Sequence, residues 1–135
     1  MNSHDKETSI EEMLERADTA RLNGNYDEAV QLYKRVLESD PNNLRAHVGL
    51  GLIYSFGYEG MFVEACRELE KATQLSPNDP QLWVWLGKAY QQVAWLEEDR
   101  EMMLKSKEAF KKALEVDPKN EEAAKQLRYL EEFGL

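Results

Sequence analysis

One spacing constrains this chain more than any other feature. Pro41, Pro77 and Pro118 each sit in a polar turn, "SDPNN" at 39–43, "SPNDP" at 76–80 and "DPKN" at 117–120, at intervals of 36 and 41 residues. The chain ahead of each proline has the same form: "YDEAVQLYKRVLESDP", "FVEACRELEKATQLSP" and "LKSKEAFKKALEVDP". Ala29, Ala65 and Ser106 each stand twelve residues before a proline; Tyr33, Leu69 and Phe110 follow four later, and Val36, Ala72 and Ala113 three after that. An i, i+4, i+7 stripe is the buried face of an amphipathic helix, and a small residue at its first position lets a neighbouring helix approach closely. A second helical pattern precedes each: "EEMLERADTARLNG", "LRAHVGLGLIYSFG" and "QLWVWLGKAYQQVAWL". A helix pair cannot bury its apolar face alone, so three repeated pairs must stack. A plain helical bundle has no reason to repeat Gly, Ala, aromatic and Pro at fixed offsets.

Trp83-x-x-Leu86-Gly87-x-x-Tyr90, followed by Ser106, Phe110 and Pro118, resembles the tetratricopeptide repeat signature. The second unit matches through Leu50, Gly51, Tyr54, Ala65, Leu69 and Pro77, with His47 where the family prefers Trp. The first is the most divergent, with Met13, Arg16, Ala17 and Ala20, then Gly24, Asn25, Tyr26 and Ala29. The resemblance implies an all-α fold: a right-handed α-solenoid of helix-turn-helix repeats, three antiparallel pairs plus a capping helix. Residues 1–9 read as a disordered tail and 10–135 as the repeat domain. The repeats cover 10–43, 44–79 and 80–120, and the capping helix covers 119–133. Ser9 with Glu12 resembles a capping box that opens the first helix.

The family period is about 34 residues, so the second unit is two residues long and the third seven. Both insertions fall between paired helices. Seven residues is close to two helical turns, so an insertion at the tip "EEDRE" (97–101) should lengthen each partner by one turn with both faces in phase. In "SFGYEGMF" (55–62), Gly57 and Gly60 should break the helix. Phe56, Tyr58 and Phe62 should pack that loop down, with an accessory contact surface as the alternative.

Composition narrows the function. The formal charge is −9 and the pI about 4.8, which disfavours nucleic acid and anionic membrane surfaces as partners. The single cysteine, Cys66, allows no internal disulfide. The polar start "MNSHDKETSIEEM" lacks a signal-peptide core, and no window is apolar enough to span a membrane, so the expectation is a cytoplasmic protein. His4 falls in the tail, while His47 and Cys66 occupy packing positions; no cluster has metal-ligand spacing and no loop has phosphate-binding form. The chain reads as no enzyme, without cofactor or metal.

The resemblance implies that the first helix of each pair lines a concave groove. Phasing by the buried stripe puts Glu11, Leu14, Glu15, Asp18, Arg21 and Leu22 there from the first unit. The second contributes Arg45, Val48, Gly49, Leu52 and Phe56; the third Gln81, Val84, Trp85, Lys88 and Gln92; the last helix Lys125, Gln126, Tyr129 and Phe133. Co-chaperone members of the family clamp acidic chaperone tails with Lys, Arg and Asn. The corresponding positions here are Leu14, Asp18, Gly49, Gln81 and Trp85, which cannot hold two carboxylates. The stripe is instead apolar (Leu14, Val48, Leu52, Phe56, Val84, Trp85, Tyr129), rimmed by Arg21, Arg45, Lys88 and Lys125. Trp83 and Trp85 lie about 200° apart around their helix, so Trp83 belongs to the packing signature and Trp85 to the groove. The expected function is non-catalytic binding of an apolar or amphipathic protein or peptide segment, as an adaptor, scaffold or chaperone-like assembly factor. The alternative is a homo-oligomer in which the groove is self-buried.

Overall fold

A computed structural model describes residues 3–58 and 60–135, with side chains from Ser9 onward. Among the described residues there are seven α-helices and no strand. They are α1 (Ser3–Leu22), α2 (Tyr26–Ser39), α3 (Leu44–Leu52, continued by a π turn over Ile53–Gly57), α4 (Phe62–Leu75), α5 (Pro80–Glu97), α6 (Arg100–Val116) and α7 (Glu121–Glu132). α1/α2, α3/α4 and α5/α6 form the three pairs, consecutive pairs stack through α2/α3 and α4/α5, and α7 closes the array against α6. The fold is the expected all-α solenoid with a capping helix.

The proline turns do two jobs. Each ends one helix and caps the next, by the same bonds. The backbone N–H groups of Asn43, Asp79 and Asn120 donate to the carbonyls three residues back, on Asp40, Ser76 and Asp117, at 3.1, 3.4 and 3.0 Å. The same three side chains then accept from Ala46, Gln81 and Ala123 N–H groups at the starts of α3, α5 and α7. A short polar N-cap satisfies donors the helix itself cannot.

The repeated small residues mark close helix approaches. A Cβ at Gly51 would lie 2.8 Å from the Leu69 side chain, and one at Gly87 2.7 Å from the Phe110 ring. Ser106 Oγ donates to the Gly87 carbonyl at 2.8 Å, completing that contact. Two apolar clusters result. The larger runs through α1–α5 and reaches α6 at Ala109; the smaller joins Val84, Phe110, Ala113, Ala123 and Leu130. Trp83 packs against both.

The third pair is lengthened as its insertion suggested. α5 and α6 have 18 and 17 residues, whereas α2 and α4 have 14 each. The turn between them is only Glu98, in the left-handed region at φ 54°, and Asp99, whose side chain caps α6 through Met102 N–H at 3.3 Å. The "SFGYEGMF" segment opens with the π turn, in which Tyr58 N–H reaches back to Ile53 at 3.0 Å. Tyr58 packs down as expected, edge-on to Tyr26 at 5.9 Å with its hydroxyl on Asp27. Phe56 departs from the expectation and is 68% exposed.

The N-terminal boundary is corrected. Residues 1 and 2 of the expected tail lie outside the described residues, but the chain is helical from Ser3 and passes through Ser9 without a cap. No Gly or Pro in residues 3–9 stops the helix from extending outward.

Candidate peptide-binding groove

The first helices α1, α3 and α5, with α7, present one continuous face. Its clearest stripe is on α5: Gln81, Trp85, Lys88, Gln92 and Trp95 are exposed or half-buried at helical spacing, while most residues between them are buried. α3 adds Arg45, Val48, Leu52 and Phe56, and α1 adds Glu11, Glu15, Asp18 and Leu22. Two expected groove residues are not there. Leu14 is 3% and Val84 1% exposed, each inside an apolar cluster. A first helix in a stacked array buries two flanks, one against its own partner and one against the next repeat. Leu14 and Val84 stand at the same repeat position and fall on the second flank.

The N-terminal end of the face is closed by a polar lattice. The Tyr33 hydroxyl, carried from α2 between α1 and α3, donates to Asp18 and accepts from Arg21 Nε at 3.2 Å. Arg45 spans both helices, contacting Asp18 at 2.7 Å and Glu11 at 2.8 Å. A Cβ at Gly49 would sit 2.3 Å from Tyr33 Cζ, so the ring occupies the space above that residue. Burial, then the bond to Asp18, pushes the Tyr33 phenol up to about 12. The Asp18 bond, with a smaller contribution from Glu11, holds the Arg45 guanidinium above its usual value. Asp18 is therefore held by Tyr33 and Arg45, Arg45 is ion-paired, and Arg21 is tied to the Tyr33 hydroxyl.

The middle of the face opens into a cavity of about 410 Å³ lined by Ser55, Phe56, Phe62, Trp85, Lys88, Ala89, Gln91, Gln92 and Gln126. Three aromatic rings supply its apolar wall. Lys88 is tied to Glu122 at 2.7 Å, and Gln91 donates to Gln126, which donates to Glu122. Lys88 first, then Gln126, holds the Glu122 carboxyl below the usual range. Ser55 Oγ, in the π turn, is buried with no hydrogen-bond partner in the protein. An unpaired buried hydroxyl costs about 1–3 kcal/mol, and π turns of this kind recur at functional sites.

Tyr129 joins a different cavity, of about 370 Å³, with Trp95, Phe133, Leu130, Leu135, Met103, Ala94, Glu98, Asp99 and Arg100. Trp95 stands edge-on to Phe133 at 6.1 Å, and Tyr129 lies 4.9 Å from the same ring. Trp95 is 52% exposed and was absent from the expected site. The signal was available, because extending the 81, 85, 88, 92 stripe by one step arrives at 95.

The other candidate groups are structural. His47 Nε2 lies 2.8 Å from the Pro41 carbonyl, and Trp83 Nε1 donates to the Pro77 carbonyl at the same distance. A carbonyl only accepts, so His47 carries a hydrogen on Nε2 and makes the bond that Trp makes one repeat later. Its Nδ1 meets Glu68 at 2.7 Å. Cys66 is buried, and burial pushes its thiol up to about 12. Among the described residues no group of three or more His, Cys, Asp or Glu could hold a metal ion, and no helix is long and apolar enough to cross a membrane.

Family profiles described as TPR repeat and tetratricopeptide repeat match residues 17–55 and 80–120, together more than half of the chain. The chain belongs to the tetratricopeptide repeat family. A curated relative, tetratricopeptide repeat protein 8 of Caenorhabditis elegans, is 36% identical over 64 residues; the match covers 47% of this chain and 12% of that protein. The chain thus spans only about an eighth of that relative. Solved tetratricopeptide structures share the fold. The first TPR of Spaghetti (RPAP3), bound to the HSP90 peptide SRMEEVD, is 24% identical with a TM-score of 0.75, over 91% of this chain and 90% of that one. The Yersinia enterocolitica type III secretion translocator chaperone SycD is 14% identical with a TM-score of 0.74, over 92% of each chain. MamA is 23% identical with a TM-score of 0.75, over 90% of this chain and 61% of that one. At these identities the likeness shows the fold alone. A tetratricopeptide repeat array is a protein-interaction module, and this chain has that architecture.

Proposed function

We propose that this repeat array is a non-catalytic adaptor, scaffold or assembly factor of the cytoplasm. It takes an apolar or amphipathic segment of a protein partner on its groove face, anchored in the cavity between Phe56 and Trp85. The observation that carries this reading is the cavity itself: an exposed Phe56 and a half-buried Trp85 facing one space. An inserted apolar side chain would cover the two rings. Trp is a frequent anchor of such contacts, and covering the part of Trp85 still open contributes on the order of 1–2 kcal/mol before association and ordering costs.

The same face argues against an acidic-tail clamp. Leu14 is buried, the ring of Tyr33 fills the space above Gly49, and Asp18 is held by Tyr33 and Arg45. None of these groups is free to receive a carboxylate. Binding of two labelled peptides tests both statements. The acidic SRMEEVD peptide should not bind, whereas a leucine-rich amphipathic peptide with a neutral polar face should. Phe56→Ala and Trp85→Ala should each weaken the second by about tenfold or more with unchanged far-UV circular dichroism. Tight binding of SRMEEVD, or indifference to both substitutions, would overturn the reading. Light scattering at rising concentration addresses self-burial: a monomer that binds the peptide leaves the groove open to a partner.

A further inference from the structure

The extra helical turn of the third pair creates a surface that a repeat of ordinary length lacks. Trp95 sits on that added turn of α5, where the Phe133 ring at the end of α7 stands edge-on to it and Tyr129 packs on Phe133. The space between them is the second cavity, floored by Met103, Leu130 and Leu135. Phe133 is 59% exposed and Leu96, beside Trp95, is 67% exposed, so the rings stay open to solvent from outside.

The electrostatics of this end are one-sided. Residues 97–101 and 128–135 carry Glu97, Glu98, Asp99, Glu101, Glu131 and Glu132 against Arg100 and Arg128. None of these carboxylates is in an ion pair among the described residues. The neighbouring Lys107 is engaged with the Leu135 carbonyl. α5 ends at Glu97 and α7 at Glu132, and neither has a basic residue in its last turn. Backbone N–H groups of Asp99, Gly134 and Leu135 cap the last carbonyls of these two helices, but no cationic side chain offsets their negative ends, while the N-terminus of α6 is already capped by Asp99. An aromatic cavity with an acidic rim selects a ligand that is apolar at its tip and cationic around it.

We propose that this overhang is a second docking site, at the Trp95 end of the groove face and apart from the Phe56–Trp85 cavity, for a basic amphipathic segment of a protein partner. One apolar side chain enters between Trp95 and Phe133, and flanking Lys or Arg residues pair with Glu98, Glu131 and Glu132. The site stands independently of the groove reading, because no ring of the Phe56–Trp85 cavity contributes to it.

The test is fluorescence anisotropy with the full chain and three labelled synthetic peptides. One is a helix with leucines on one face and lysines and arginines on the other. The second has the same leucines but a glutamate face; the third has the composition of the first in a scrambled, non-amphipathic order. The basic amphipathic peptide should bind, the glutamate peptide should not, and the scrambled peptide should bind at least about tenfold more weakly. Trp95→Ala should weaken binding about tenfold or more, and Phe133→Ser, at a more exposed position, should do the same without risk to the fold. Trp85→Ala should weaken it less than Trp95→Ala does, which separates this site from the Phe56–Trp85 cavity. Glu131→Lys with Glu132→Lys should weaken binding, as should added salt. Four results would overturn the proposal: equal binding of the glutamate or scrambled peptide, indifference to Trp95→Ala and Phe133→Ser, equal loss with Trp85→Ala, or a Trp95-dependent dimer in sedimentation, which would make a second copy the occupant.

Discussion

Gly49 shows how one missing side chain organises a face. With no Cβ, it lets the Tyr33 ring pass between α1 and α3 and deliver its hydroxyl to Asp18 and Arg21. Gly49→Ala should lower stability by about 1–3 kcal/mol, the usual cost of overpacking, as read from the urea midpoint. In a Tyr33→Leu background the same substitution should cost much less, and the double-mutant cycle measures the coupling. Because the folded phenol is held near 12 against an ordinary value of 10, the neutral form is the one the fold favours. Its contribution is complete below pH 10 and is lost as pH rises toward 12; Tyr33→Phe should flatten that alkaline decline in melting temperature. Cys66 obeys the same logic: its buried thiol should stay unreactive to Ellman's reagent at pH 8 in the native state and react once urea unfolds the chain.

At the scale of elements, the α5–α6 turn is the tightest junction in the molecule. It holds Glu98 in a left-handed conformation that suits glycine and relies on Asp99 to cap α6. Glu98→Gly should be neutral or stabilising by about 0.5–1 kcal/mol, and Asp99→Ala should cost about 1 kcal/mol. Opposite signs from adjacent substitutions, read from thermal melts, would show that the inserted residues form two ordered half-turns. The π turn of α3 is the other irregular element. It displaces Ser55 and Phe56 toward the groove while Tyr58 fastens the following loop to α2 through Tyr26 and Asp27. The irregular stretch thus holds down its far end and leaves its near end available for contact.

For the whole molecule, stacking makes the ends weaker than the middle, since a terminal helix has a neighbour on one side only. α7 rests on the smaller apolar cluster and on polar ties, Lys88 to Glu122 and Gln91 to Gln126. Its amides should exchange with deuterium faster than those of α3 and α4. Acid should widen the difference. Glu122 is held below the usual carboxylate range, so its contribution is present above that range and lost as pH falls through its lowered value. Glu122→Gln should remove that acid-dependent step from α7 exchange while leaving α3 and α4 unaffected.

Much of this architecture was legible in the residues. The recurrence of small, aromatic and proline positions determined the helix pairing, the caps and the close approaches at Gly51 and Gly87. The in-phase insertion likewise determined the longer third pair. Helical periodicity fixes a side chain's angle about its own axis, and those features depend on little else. What only the tertiary structure decided was which residues at the edge of a stripe stay open. Leu14 and Val84 share the groove-side angle but lie where the next repeat lands, so they are core. Trp95 shares it too, but sits on a turn that outreaches its neighbours, so it is surface. The arrival of Tyr33 from the second helix and the pairing of Arg45 with Asp18 needed the inter-repeat distance as well. That distance is set by the packing of whole pairs, and no single helix's sequence carries it.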